Sequence, residues 1–140
     1  MAEGDALVHN NFKEQLMIKT FDLVNDVFKI ALLDTALADI DGAATAFVNT
    51  NEIAGSGYTA GGATVATPVV TQDDANDWVK WDDDGSNITW SSLAANTILE
   101  AQLYNTTVSD LLCIMWEIAT NSNGGDYTLT FGANGIMTLA

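Results

Sequence analysis

Arginine is absent, and only four lysines stand against 19 acidic side chains, which gives a formal net charge of −15. Phosphate backbones and anionic lipid surfaces are both held by clusters of Lys and Arg. The sequence offers neither kind of cluster, so nucleic acid and membrane surfaces are not its expected partners. The cations are also unevenly spread. Residues 1–30 hold Lys13, Lys19 and Lys29 against five acids, a net of −2, whereas residues 31–140 hold Lys80 against 14 acids, a net of −13. The acidity has two readings, solubility through self-repulsion or a surface that faces outward or toward an electropositive partner.

Cys113 is alone, so no disulfide forms within the chain, and its place in Leu111-Leu112-Cys113-Ile114-Met115-Trp116 makes it a small core hydrophobe. A single cysteine suits a chain made in a reducing cytoplasm. His9 is the sole histidine and sits in a polar stretch. A hydrolytic triad needs it as base; a solvated surface residue is the expectation. No apolar run nears the ~18 residues that cross a bilayer. The start, with Glu3 and Asp5, does not read as a secretory leader. Proline occurs once, at Pro68.

Hydrophobic residues make up 48%, too many for a disordered chain. One domain over residues 1–140 is expected, burying roughly two thirds of its unfolded surface. Phe12 and Leu16, four apart, predict a short helix over about residues 8–18, preceded by a flexible or docking arm over residues 1–7. Val27 to Leu33 is the first strong strand, with Phe28, Ile30 and Leu32 opposite Lys29, Ala31 and Leu33. Asp34 to Thr50 is ambiguous and allows a short helix near Ala43 to Val48. Gly55, Gly57, Gly61 and Gly62 mark an irregular loop. Ala63 to Val70 reads as one strand, which Pro68 places at an edge or a strand end. Trp78 to Trp81 and Ile88 to Trp90 read as a strand interrupted by the Asp82 to Asn87 loop. In Thr97 to Tyr104, Leu99, Ala101 and Leu103 alternate with Glu100 and Gln102. Leu111 to Ile118 is a central strand. Tyr127, Leu129 and Phe131 carry the clearest period of two, and Asn134-Gly135 signals a hairpin into Ile136 to Leu139. Seven or eight short strands predict an all-β, antiparallel sandwich or jelly roll with a short N-terminal helix, each sheet covered on one face.

Two chemical motifs compete with plain turns. Asp82, Asp84 and Asn87 set oxygen ligands around a glycine as calcium loops do, but acidic β-turns form the same pattern unaided, so no metal and no cofactor is expected. Asn121 to Asp126 has similar chemistry. Trp116 reads as core; Trp78, Trp81 and Trp90 are either packing residues or a sugar-binding platform, with Trp81 and Trp90 facing one another across a hairpin. Gly55-Ser56-Gly57 lacks the residue that a nucleophile elbow places between Gly and Ser, and carboxylate pairing needs an enclosed cleft. An enzyme is therefore not the expectation.

The runs Phe12-Lys13-Glu14-Gln15-Leu16, Phe21-Asp22-Leu23 and Asp26 to Leu33 resemble the opening of small β-sandwich structural proteins of tailed bacteriophages. The likeness continues through Thr50-Asn51-Glu52 to Gly55-Ser56-Gly57-Tyr58-Thr59-Ala60-Gly61-Gly62, then Trp81-Asp82, Ile88-Thr89-Trp90 and Tyr127 to Ile136. Its most specific piece is the Asn-Glu, Gly-x-Gly-Tyr-Thr, Gly-Gly block. The resemblance implies a virion part, foremost a capsid decoration (cement) protein on the outer surface of the major capsid protein shell. The strand from Leu111 to Ile118 departs from it by being more apolar. A cement role needs contact rather than catalysis, and a homotrimer suits three-fold capsid positions. Leu7, Val8, Phe12 and Leu16 are the expected docking residues. A tail or head–tail joining protein, or a carbohydrate-binding module, are the other expectations.

Overall fold

The computed structural model describes residues 6–35, 45–47, 49–84 and 87–139. In chain order its elements are β1 (Ala6–Val8), α1 (Asn10–Met17), β2 (Phe28–Leu33), a 3-10 turn (Asn49–Asn51), β3 (Ala63–Thr64), β4 (Val69–Asp73), β5 (Trp78–Asp82), β6 (Ile88–Trp90), β7 (Asn96–Asn105), β8 (Leu111–Ser122), β9 (Tyr127–Leu129) and β10 (Met137–Leu139). The chain is mainly β, its sheets are antiparallel, and the arrangement is sandwich-like.

Three sheets share one main core. The largest runs β1-β8-β7-β2-β3, a second runs β10-β5-β4, and β6 pairs with β9. The core draws Phe28, Ile30 and Leu32 from β2, Ala101 and Leu103 from β7, Ile114 from β8, Trp81 from β5, and Ile88 and Trp90 from β6. Phe12 of α1 is wedged between sheets: its ring lies 6.0 Å from Trp81 and 5.7 Å from Phe21, and Phe28 meets Trp81 edge-on at 4.8 Å.

The alternation in β2 holds as expected, with Ala31 and Leu33 joining Tyr104 and Leu112 in a second buried cluster. Covering on one face only does not hold. Glu100 and Gln102, opposite Leu33 and Ala31, are buried on the second face of the large sheet. Gln102 Nε2 donates to Glu100 Oε2 at 3.2 Å.

β8 explains its own apolar richness. Its pairing with β7 slips by one residue between Leu103↔Ile114 and Tyr104↔Leu112. Cys113 is the extra residue, and it joins Ile114 in the main core, where a regular strand sends neighbours to opposite faces. Burial pushes the Cys113 thiol pKa well up. A second slip sets two residues, Ile118 and Ala119, against Leu99, with Ala119 at φ +50°.

Several expectations are corrected. Residues 6–8 of the predicted arm are a strand on the edge of β8, while residues 1–5 lie outside the described part. That strand carries His9 inward: the predicted solvated histidine is fully buried, and its backbone N–H donates to Cys113 O at 2.9 Å. Its polar neighbours Asn10 and Asn11 gave no hint of this. Ala63 to Val70 is two strands in two sheets: β3 ends at Thr64, and β4 begins at Val69, directly after Pro68, which has no N–H to give a ladder. β5 and β6 do not continue one another; β5 pairs with β4 and β10, and β6 with β9. Ala46 bridges to Leu111 in extended form, and the rest of the allowed helix near Ala43 to Val48 falls largely outside the described residues. Trp116 is half-buried at the core margin, because its strand neighbour is Ala6 near the sheet edge.

Candidate functional site

α1 is amphipathic, and its spacing decides which side chains reach the surface. Phe12 takes the core side, while Lys13, Leu16 and Met17 share a neighbouring face at helical intervals of three and four. The helix stops at Ile18; Lys19 turns left-handed at φ +61°, and Thr20 N donates to Gln15 O at 2.9 Å. Met17 and Ile18 are thereby left 87% and 61% exposed, which is unusual for large apolar side chains at adjacent positions.

The exposed face of α1 forms one wall of an apolar groove. Val8, Lys13, Leu16 and Met17 line it on one side and Met137, Thr138 and Leu139 on the other, enclosing about 380 Å³. β10 is the edge strand of its sheet. Leu139 sits opposite Val79, and both are exposed, at 57% and 37%. The inner face of this small sheet thus runs past the core and stays uncovered at its far end.

An acidic turn borders that end. Leu139 and Val79 also line a depression with Gln72, Asp73, Asp74, Asp77 and Trp78. Asp73 is committed to the β4–β5 turn: its carboxylate accepts from Ala75 N at 3.1 Å and from Asn76 Nδ2 at 2.8 Å. The Asn76 and Trp78 side chains hold its pKa below the ordinary range. Asp74 accepts from Gln72 Nε2, and Asp77 is exposed with φ +56°.

The four expected docking residues do not share one surface. Val8 and Leu16 line the groove. Leu7 pairs with Met115 on the opposite face of the large sheet. Phe12 is fully buried, so it is a core residue rather than a contact residue. Met17, Val79, Met137 and Leu139 were not anticipated. The doublet Met17-Ile18, falling where the helical pattern ends, was the one available signal.

The glycine-rich block folds into a hydrogen-bonded buttress. Glu52 Oε1 accepts from Tyr58 Oη at 2.6 Å and from Gly61 N at 2.8 Å, while Tyr58 Oη accepts from Leu32 N at 3.1 Å. Tyr104 Oη donates to Gly61 O at 2.6 Å and its ring stacks on Phe47 at 4.2 Å. Burial, reinforced by Glu52, raises the Tyr58 pKa far above its ordinary value; burial, then Glu52 and Asp110, pushes Tyr104 up to about 12. Gly62, at φ +73°, lies so close to β2 that an added Cβ would stand 2.0 Å from Ile30 O. These bonds pin the loop to β2 and β7, and the motif's residue types are spent on that fastening.

The calcium candidates differ in burial and partners. Asp82 is buried and pairs with Lys80 at 3.0 Å, whereas Asp84 and Asn87 are exposed. Between them Asp83 turns inward and accepts from the Thr67 hydroxyl at 3.1 Å, closing the turn before Pro68. Among the described residues no group of three His, Cys, Asp or Glu side chains converges as metal ligands do. In the Asn121 to Asp126 turn, Asp126 Oδ1 accepts from Ser92 N at 2.9 Å. Trp81 and Trp90 are buried in the core on separate sheets, so they neither face one another across a hairpin nor form a sugar platform. Trp78 alone of the three stays half-exposed.

No protein-family model, no curated protein and no solved structure matches the chain.

Proposed function

We propose that this protein is a structural subunit that acts by binding other proteins, specifically a decoration protein on the outer surface of a tailed-phage capsid. The observation that carries the reading is the apolar groove of Val8, Leu16, Met17, Met137 and Leu139 on a chain of net charge −15. A surface of this charge keeps an apolar strip uncovered, as a docking surface does. The sequence resemblance to phage β-sandwich structural proteins supplies the capsid. The partner is the major capsid protein, and a trimer is the oligomer that three-fold capsid positions favour. The acidic body then faces solvent, away from packed DNA. The role asks for contact and no catalytic step.

The test is composition of intact particles. The protein is expected to copurify with them at about one copy per major capsid subunit, and to sediment alone as a trimer. Its absence from particles of the phage that encodes it defeats the proposal, and a copy number of a few per particle moves it to the tail or head–tail joint.

A further inference from the structure

Edge strands expose a row of unpaired backbone N–H and C=O groups, and proteins ordinarily blunt them with Lys, Pro or a bulge. β10, Met137-Thr138-Leu139, carries none of these. Among the described residues its one strand neighbour is β5, and its three residues line the groove walled by Leu16 and Met17 of α1. We propose that this groove takes an extended segment of the partner, which adds to β10 as a further strand, is apolar beside Met137 and Leu139, and is basic where it passes the acidic turn. The proposal rests on the protein-binding function above and names the chemistry of the segment that is bound.

Three observations select this occupant. At ~3.3 Å per residue, β10 spans about 10 Å and pairs with about three residues of an added strand. Alternate side chains of that strand then enter the gap between Leu16 and Met137, and backbone hydrogen bonds supply the rest of the affinity. The groove continues past Leu139 into the depression bordered by Asp74, Asp77 and Trp78. Asp73 is occupied by its turn, but Asp77 stands exposed; Lys80, which lines a neighbouring depression with Asp73 and Asp74, is paired with Asp82 at 3.0 Å. Charge complementarity therefore calls for Lys or Arg at that end of the segment. A second copy of this chain fits this groove poorly, because its four lysines stand singly and it has no arginine, so it offers no strongly basic segment for the acidic turn; the proposed trimer would form through another surface.

The test uses the full chain and synthetic peptides of about seven residues that alternate valine and threonine. One peptide ends in two lysines and one in two glutamates. The lysine-ended peptide is expected to bind about tenfold or more tighter and to slow amide exchange at Met137–Leu139. Methylating its alternate backbone nitrogens should abolish binding, and D74N with D77N, both on the exposed turn, should erase the preference for lysine. Equal binding of the two peptides, protection of other strands instead, or self-association that protects β10 without peptide overturns the inference. Particle copurification is read separately. A protein found on particles that ignores both peptides loses this inference and keeps its function, whereas one that binds the lysine-ended peptide but no particle loses the function.

Discussion

Two side chains at the N-terminal end show how little hydrophobicity alone says about role. Phe12 and Met17 are both large and apolar and lie on one helix, yet the first is sealed among Phe21, Phe28 and Trp81 and the second is 87% exposed. Phe12→Ala is expected to cost about 3–5 kcal/mol of stability, as aromatic core truncations do, and Met17→Ala less than about 0.5 kcal/mol; urea denaturation followed by tryptophan fluorescence measures both. Glycine shows the same dependence on surroundings. Gly62 and Gly124 both have positive φ, but an added methyl meets Ile30 O at Gly62 and open space at Gly124. Gly62→Ala should therefore cost about 2 kcal/mol or more, through strain plus displacement of β2. Gly124→Ala should cost about 1 kcal/mol, the strain alone. Equal losses at the two positions would mean that the loop does not press on β2 as described.

At the scale of elements, the block from Glu52 to Gly62 acts as a clasp whose strength depends on protonated tyrosines. Tyr58 donates its proton to Glu52 and Tyr104 donates to Gly61 O. Unfolded tyrosine titrates near pH 10, and both folded hydroxyls keep their protons to higher pH, up to about 12 for Tyr104. Above pH 10 the folded state therefore binds more protons than the unfolded state, and stability must fall as pH rises. The contribution is fully present below pH 10 and is lost as pH climbs through about 12. The urea midpoint should hold steady from neutral pH to about 9 and drop beyond it, while Tyr58→Phe removes much of that drop at the expense of stability at neutral pH. A midpoint that stays flat to about pH 11 would contradict the clasp.

Legibility in the sequence followed the range of the interactions involved. The alternations in β2 and β9, the helix around Phe12 and Leu16, and the turn at Asp73 to Asp77 were visible because each is set by neighbours within a few residues. The addition of β1 to β8, the split of Ala63 to Val70 between two sheets, and the inward turn of His9 were not, because each is decided by strands far away in the chain. The glycine block was recognisable as distinctive, yet its physical content is the contact of Gly62 with Ile30 and the capture of Gly61 by Tyr104, 43 residues on. The groove was half legible. Leu16 follows from the helix pattern, but Val8 reaches the groove from β1, and Leu139 joins them only because β10 pairs with β5.

For the whole molecule, charge and apolar exposure together set the behaviour. Nineteen acids against four lysines make the surface as a whole self-repelling, and the groove adds an apolar contact to it. Binding through it should thus combine an apolar contact that salt leaves largely intact with an acidic end that salt weakens. The deciding measurement is rebinding of the purified protein to capsids assembled without it, for the wild-type chain and for M17D with L139D. Both positions are exposed, so the variant should keep its urea midpoint within about 0.5 kcal/mol of the parent. The account predicts saturable binding by the wild-type chain and a loss of about tenfold or more in the variant's affinity. Equal occupancy by a folded variant would show that the groove is not the surface by which this protein holds its shell.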